Sequence, residues 1–458
     1  MTVIWAKQVL TSQGWQDNVS ITIGGDGHIS ALELDSEPPH ATKGKRFDVL
    51  LPAPANTHSH AFQRAMAGMT ESRGPDTKDS FWTWREIMYR FVDVLTPDDI
   101  EAIAAFLYME MLEAGFSAVA EFHYLHHGQG GQVYDNIAET ATRITAAANQ
   151  AGIGLTLLPV LYMQGGCDGR TLVGGQMRFG NSQDQFASLF EASKSAVANL
   201  ASDSTLGVAA HSLRAVTPEQ LSFACNLAHD APFHIHIAEQ DAEIEEVLAH
   251  YGQRPVEWLL GNHAVNDRWC LIHATQMTVG ETVSLAKSGA AAGLCPITES
   301  SLGDGIFNAP DYINAGGVFS IGSDSNVRIS LAEELRTLEY SQRLKHRERA
   351  VLANEKQSCG HILLQGAAKG GAQACGRESG AIEVGKLADL FALDGAAPNL
   401  IGKHGDMELD SFIFSGTTNM ITDVWSAGRH MVRNGAHINR ETIRANYEKT
   451  VLYLQQRL

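Results

Sequence analysis

The sequence predicts an α/β chain folded as a (β/α)8 TIM-type barrel, with a small β-sandwich-like domain built from both chain ends. Eight short apolar or β-branched runs alternate with amphipathic stretches, which is the pattern of parallel βα units. Most of these runs end in His, Asp or Glu, the residue types that barrel enzymes carry at the C-terminal ends of their strands. At 458 residues the chain is long enough for one such barrel with insertions plus a second, smaller domain.

In chain order, residues 3–34 read as short strands broken by Gly24, Gly25 and Gly27, and they open the N-terminal part of the small β domain, residues 1–47. The barrel is expected over 48–378, with strand runs at 48–56, 117–122, 152–162, 205–212, 233–239, 269–275, 290–296 and 317–324. Between them, stretches such as 97–114, 136–151, 185–200 and 218–230 repeat apolar positions at helical spacing. Residues 381–393 and 423–432 read as strands again and give the C-terminal part of the small domain, 379–439. A helical pattern over 440–458 is expected to pack on the outside. The charge run 345–349 reads as a solvated helix face, and the glycine-rich stretch 164–180 as a long loop that is either an active-site lid or an ordinary surface connection.

Hydrophobic residues make up 44% and charged residues 19% of the chain, with no apolar run of eighteen or more, so no membrane span is expected. The first fifteen residues mix Lys7, Gln8, Gln13 and Gly14 into an apolar background without a signal-peptide pattern, and a cytoplasmic location is expected. A formal charge of −18 argues against nucleic acid or an anionic membrane as partner. An anionic small-molecule substrate would then need local arginines. The six cysteines are scattered singly with no CxxC pair, so buried free thiols are expected rather than a disulfide framework or a thiolate zinc site. No sequence feature sets the number of subunits, and a homodimer is taken as the expectation.

The strand ends carry the chemistry. The first run ends in Thr57-His58-Ser59-His60, the second in Glu121-Phe122-His123-Tyr124, and the fourth in His211-Ser212-Leu213-Arg214. The fifth carries His234, His236 and Glu239, the sixth ends in His273, and the eighth in Asp324. Two histidines at i and i+2 on a strand share a face, so His58 and His60 can grip one ion. An isolated pair of this kind is a structural pair about as often as a ligand pair, and His123, His126, His127, His229, His250 and His263 read as structural. His236 and Asp324 on separate strands, with His273 beside them, change that balance. Three imidazoles and one carboxylate form a donor set that suits zinc, with iron as the alternative, and leave a position for water whose pKa would fall to about 7. His234 lies deeper along its strand and reads as interior packing, whereas Glu239 can reach past the metal as a general acid/base.

This arrangement resembles the amidohydrolase superfamily over nearly the whole chain, including the tail segment 379–390 (SGAIEVGKLADL). Binuclear members carry a bridging lysine at the end of the fourth strand. Here that strand ends in His211 and the nearest lysine, Lys194, falls in a helix, so the resemblance implies one metal per chain, held by His58, His60, His236 and Asp324. The deaminase branch pairs HxxE at strand five with His at strand six and Asp at strand eight. His236, Glu239, His273 and Asp324 reproduce that set, which implies catalytic roles for Glu239, His273 and Asp324.

More narrowly, segments 56–68 (NTHSHAFQRAMAG) and 301–307 (SLGDGIF) are similar to the deiminase family that acts on formimino-glutamate in histidine degradation. That similarity implies hydrolysis of a small anionic amino-acid-derived amidine to N-formyl-L-glutamate and ammonia, with substrate contacts from Gln63, Arg85, Tyr124, His211 and Arg214. Arg85 has the plainer alternative of pairing with Glu86 or stacking on a tryptophan. The nearest rival function is deamination of a cyclic amidine such as guanine, cytosine or an adenosine derivative. A chlorohydrolase-like member and a non-catalytic barrel that binds without turnover are the more distant ones.

Overall fold

The computed structural model describes residues 1–39, 45–71 and 81–457. Eight parallel strands close on themselves: β1 (Ala55–Ser59), β2 (Ala118–His123), β3 (Gly154–Leu161), β4 (Val208–Ala210), β5 (Phe233–Ile237), β6 (Trp269–His273), β7 (Ala291–Leu294) and β8 (Val318–Ile321). Ile321 of β8 pairs with Asn56 of β1 and completes the ring. β1, β2, β3, β5 and β6 are buried along their full length, as expected of parallel strands covered on both faces. A two-residue strand, Thr205–Leu206, precedes β4, and Gly207 separates them. A Cβ at Gly207 would lie 2.5 Å from the Pro232 carbonyl oxygen, so the strands can approach there only without a side chain.

The connecting helices start where short polar caps dictate. Thr96, Ser182, Thr217 and Thr278 each accept from the main-chain N–H three residues on, where Asp99, Gln185, Gln220 and Glu281 reach back in turn. Apolar positions then face the strands and form one continuous core that includes Leu107, Leu155, Leu189, Phe233 and Leu285.

The small domain is one mixed sheet that draws four strands from each end of the chain. Its seam is Lys45–Pro52, which runs parallel to Thr2–Thr11 on one side and antiparallel to Leu390–Leu393 on the other. The expected domain boundary at residue 47 is therefore too early. The run 48–56 belongs to two sheets, because Asp48–Pro52 pairs in the small sheet and only Ala55 onward enters the barrel. Pro52 and Pro54 lack the N–H needed to carry one ladder into the next, and they mark the division. A buried ion network joins this sheet to the barrel: Arg377 bonds Asp389 at 2.6 Å and Asp203 at 2.9 Å, and Arg429 bonds Asp203 at 2.7 Å. The C-terminal helix Arg440–Gln455 lies outside against Pro97–Glu113, where Tyr447 stacks on Phe106. Among the described residues no helix is long and apolar enough to cross a membrane.

Candidate metal centre and active-site pocket

The ends of β1 and β8 are laced together by their small polar residues. Asn56 donates to Ser323 Oγ at 2.6 Å and Ser323 Oγ donates to Asn326 Oδ1 at 2.6 Å. Asn326 in turn donates to the His60 carbonyl at 3.0 Å. Gly322 lets the strands close, because a Cβ there would sit 2.7 Å from His58 Cβ. This lacing delivers His58, His60 and Asp324 to one point, with His58 Nε2 at 3.4 Å and His60 Nε2 at 3.2 Å from Asp324 Oδ1. β5 brings His236, whose Nε2 lies 2.9 Å from His58 Nε2.

Two features fit these side chains to a cation. His60 Nδ1 lies 3.1 Å from the Phe122 carbonyl, so Nδ1 is the protonated nitrogen and the Nε2 lone pair faces the cluster. Burial pushes His58 down to about 3 and His236 well below its ordinary value, with the neighbouring histidines adding to the effect on His236. Both rings are therefore neutral and able to coordinate. The Asp324 carboxyl is held well below the usual carboxylate range, since the His58 and His60 hydrogen bonds outweigh the opposing effect of burial.

His273 stands at the end of β6 with Nε2 at 3.8 Å from Glu239 Oε1 and 3.9 Å from Asp324 Oδ2. Its Nδ1 lies 3.3 Å from Glu299 Oε1. Burial alone would lower its pKa, but Glu239, Glu299 and Asp324 outweigh it and push the ring up to about 10. Burial, Asp324 and Glu243 raise Glu239 against the pull of His273. Ala238, His273, Ala274, Asp324 and Asn326 all adopt positive φ, a strained conformation for residues with side chains that gathers here at the ends of three strands.

Beyond the cluster opens a cavity at the rim of the barrel. Gln63, Tyr124, His211 and Arg214 line it together with His60, His236, Glu239, His273 and Asp324. Gln63 sits on the short 3-10 helix Ala61–Met66, which Arg64 pins through Glu110 at 2.6 Å. Its amide donates to the Tyr124 hydroxyl at 2.9 Å. Arg214 is half-buried, and Glu243 and Glu239 hold its guanidinium charged against the cost of burial. Arg85 falls on the helix Phe81–Val94, and its side chain lies outside the described residues. His234 bonds the Ala374 carbonyl at 2.8 Å and takes no part in the cluster.

Several residues of the site escaped the sequence reading. Tyr89, Tyr162 and Phe179 form an aromatic wall, and Gln164 adds a polar group at the foot of the loop 164–180. Arg178, fully buried, ties that loop to the carbonyls of His127, at 2.8 Å, and Leu95, at 3.1 Å. Glu243 accepts from the main-chain N–H groups of Ala238 and Glu239 at 3.2 and 3.1 Å. Glu299 accepts from Cys295 N at 2.8 Å as well as facing His273. A signal for both glutamates existed, since each is an acid in the first turn of a helix that follows a barrel strand.

The model described as "Amidohydrolase family" matches residues 49–431. The model "Formimidoylglutamate deiminase HutF, N-terminal domain" matches residues 1–42. The chain is 47% identical over 444 residues to the formimidoylglutamate deiminase of Pseudomonas aeruginosa, which covers 96% of this chain and 97% of that protein. It is 25% identical over 365 residues to a 5-methylthioadenosine/S-adenosylhomocysteine deaminase of Natronomonas pharaonis, covering 78% of this chain and 75% of that one. Among solved structures, an amidohydrolase from Brucella melitensis matches with a TM-score of 0.95 at 48% identity, over 99% of this chain and 100% of that one. An adenosine deaminase from Xanthomonas campestris, solved with bound zinc, shares the fold with a TM-score of 0.80 at 23% identity, over 99% of this chain and 98% of that one.

Proposed function

The chain belongs to the amidohydrolase family, and from that premise we infer that it hydrolyses N-formimidoyl-L-glutamate to N-formyl-L-glutamate and ammonia, a step of histidine degradation. It is a hydrolase of carbon–nitrogen bonds with a divalent metal site. The observation that carries the reading is the 47% identity, sustained over 96% of the chain, to a formimidoylglutamate deiminase. The cavity agrees with it, because Arg214, His211, Gln63 and Tyr124 can clamp an anionic substrate beside the metal cluster.

We take the ion to be one zinc per chain, held by His58, His60, His236 and Asp324. When bound, it would supply Lewis acidity that brings water within reach of deprotonation near neutral pH. Asp324, ionised against burial, takes the proton from the attacking water. Glu239 carries protons to the departing nitrogen, and its raised pKa suits it to that exchange. His273, held through Nδ1 by Glu299, turns Nε2 toward Glu239 and Asp324 and orients or polarises the attacking water between them. Arg214 and His211 line the same cavity and anchor the glutamate carboxylates, and the terminal nitrogen leaves with a proton delivered by Glu239. The enzyme is proposed to work as a cytoplasmic homodimer on this small anionic substrate, with neither nucleic acid nor membrane as partner.

Carbon NMR of the reaction mixture, with ammonia assayed separately, tests the reading. N-formyl-L-glutamate and ammonia should appear in equal amounts. Formamide as the main one-carbon product, or faster turnover of guanine or cytosine than of formimidoylglutamate, would overturn it.

A further inference from the structure

The segment 301–307 carries one buried acid with no part in the chemistry described so far. Asp304 is only 3% exposed and does not line the cavity, yet its bonds reach three strand ends. Gln240, the residue after Glu239, donates its side-chain amide to Asp304 Oδ1. Gln276, beyond the end of β6, donates its side-chain amide to the Asp304 carbonyl and its main-chain N–H to Ala238 O at 2.8 Å. The Asp304 N–H donates to the Glu299 carbonyl at 2.9 Å, and Glu299 is the residue that faces His273 Nδ1. Gly305 permits the turn at φ +123, where a Cβ would come within 2.9 Å of the Gln276 amide.

We propose that Asp304 is a positioning residue for Glu239, acting through the side chain of Gln240. The inference rests on the proton-carrying role given to Glu239 above. Glu239 is held from its N-terminal side by Glu243 and Gln276, whose bonds fix the main chain at Ala238 and Glu239. On its C-terminal side the Gln240–Asp304 bond is the side-chain tether that links it to the next loop. Burial and the nearby Glu239 charge push the Asp304 carboxyl up to about 9, against the pull of His273. A neutral acid keeps Oδ1 as the acceptor for Gln240, with its proton on Oδ2, which makes no hydrogen bond within the described residues. An asparagine offers the same acceptor without the proton, and an alanine offers nothing.

The test compares D304A, D304N, Q240A and the D304A/Q240A double variant in the zinc-loaded full chain, by ammonia release from N-formimidoyl-L-glutamate. D304A and Q240A should each lower kcat by ~10-fold or more with KM within ~3-fold, the split expected when a proton-transfer group loses its alignment. D304N should stay within ~3-fold of wild type, and the double variant should be no worse than the poorer single one, since both break one tether. A normal kcat in D304A or Q240A, equal damage in D304N and D304A, additive losses, or a loss confined to KM would each overturn the proposal. If D304A does not fold, Q240A and D304N decide the matter by the same criteria. Failure of the wild-type chain to turn over formimidoylglutamate would instead sink the functional reading on which the inference stands.

Discussion

Replacing Glu239 with glutamine keeps the size and shape of the side chain and removes its capacity to move a proton. The residue is 6% exposed and its Oε1 lies 3.8 Å from His273 Nε2. Its main-chain N–H donates to Glu243 at 3.1 Å, a bond the substitution leaves alone, so the strand end stays where it is. A positioned acid or base is worth ~10²- to 10⁴-fold, and E239Q should therefore add ~3–5 kcal/mol to the barrier. KM should stay within ~3-fold, because the carboxylate contacts proposed for Arg214 and His211 are untouched. Ammonia release at saturating substrate reads the loss directly. Burial, Asp324 and Glu243 hold Glu239 above the ordinary carboxylate range, so the limb of the wild-type pH profile that it sets should vanish in the variant. Turnover near wild type, or a loss carried by KM alone, would refute the role of Glu239.

Elemental analysis should find about one zinc per chain, as the proposed four-ligand site for one ion predicts, and two tightly held ions in the active enzyme would contradict that proposal. R214M should cost ~2–5 kcal/mol in kcat/KM, as expected when one partner of a buried charge pair is truncated, while an unchanged kcat/KM would make Arg214 structural. Asp203, held down to about 2 by Arg429 and Arg377 against the effect of burial, should contribute stability above pH ~4 that fades toward pH 2, since its folded pKa lies below the unfolded one. The shift from 3.8 to about 2 corresponds to ~2 kcal/mol, so D203N should unfold more easily at pH 7 by at least that amount and the gap to wild type should narrow in acid. A gap that does not change with pH in urea unfolding of the zinc-loaded chain would refute this assignment.

The metal cluster was legible because two simple rules meet in it. Side chains at i and i+2 share a strand face, and barrel strands present their C-terminal ends to one rim, so His58, His60, His236, His273 and Asp324 could be gathered without coordinates. The residues that hold those side chains were harder to see. Glu243 and Glu299 each reach back from a helix to the strand before it, and in sequence they look like ordinary acids of a first helical turn. Tyr162, Phe179 and Tyr89 meet across loops whose course no local period records. The division at Pro52 was hidden because Val49, Leu50 and Leu51 are equally apolar in either sheet. The run is continuous in composition and divided only by which neighbours complete its ladder.

The seam of the small sheet also sets a timetable for the nascent chain. Thr2–Thr11, Gly14–Ile23 and Ile29–Glu33 leave the ribosome early and can pair with one another and with Lys45–Pro52. The opposite edge of Lys45–Pro52 waits for Leu390–Leu393, which is made only after the whole barrel. At ~5–20 residues per second that wait lasts roughly 20–70 s, during which a row of main-chain donors and acceptors stands open to any passing strand. Arrival of the last strands closes that edge, and the Arg377–Asp389 pair then fixes them to a barrel already in place. A chain stopped short of residue 390 would keep the edge open, and its fate would be decided by aggregation rather than by the stability of the barrel it had already built.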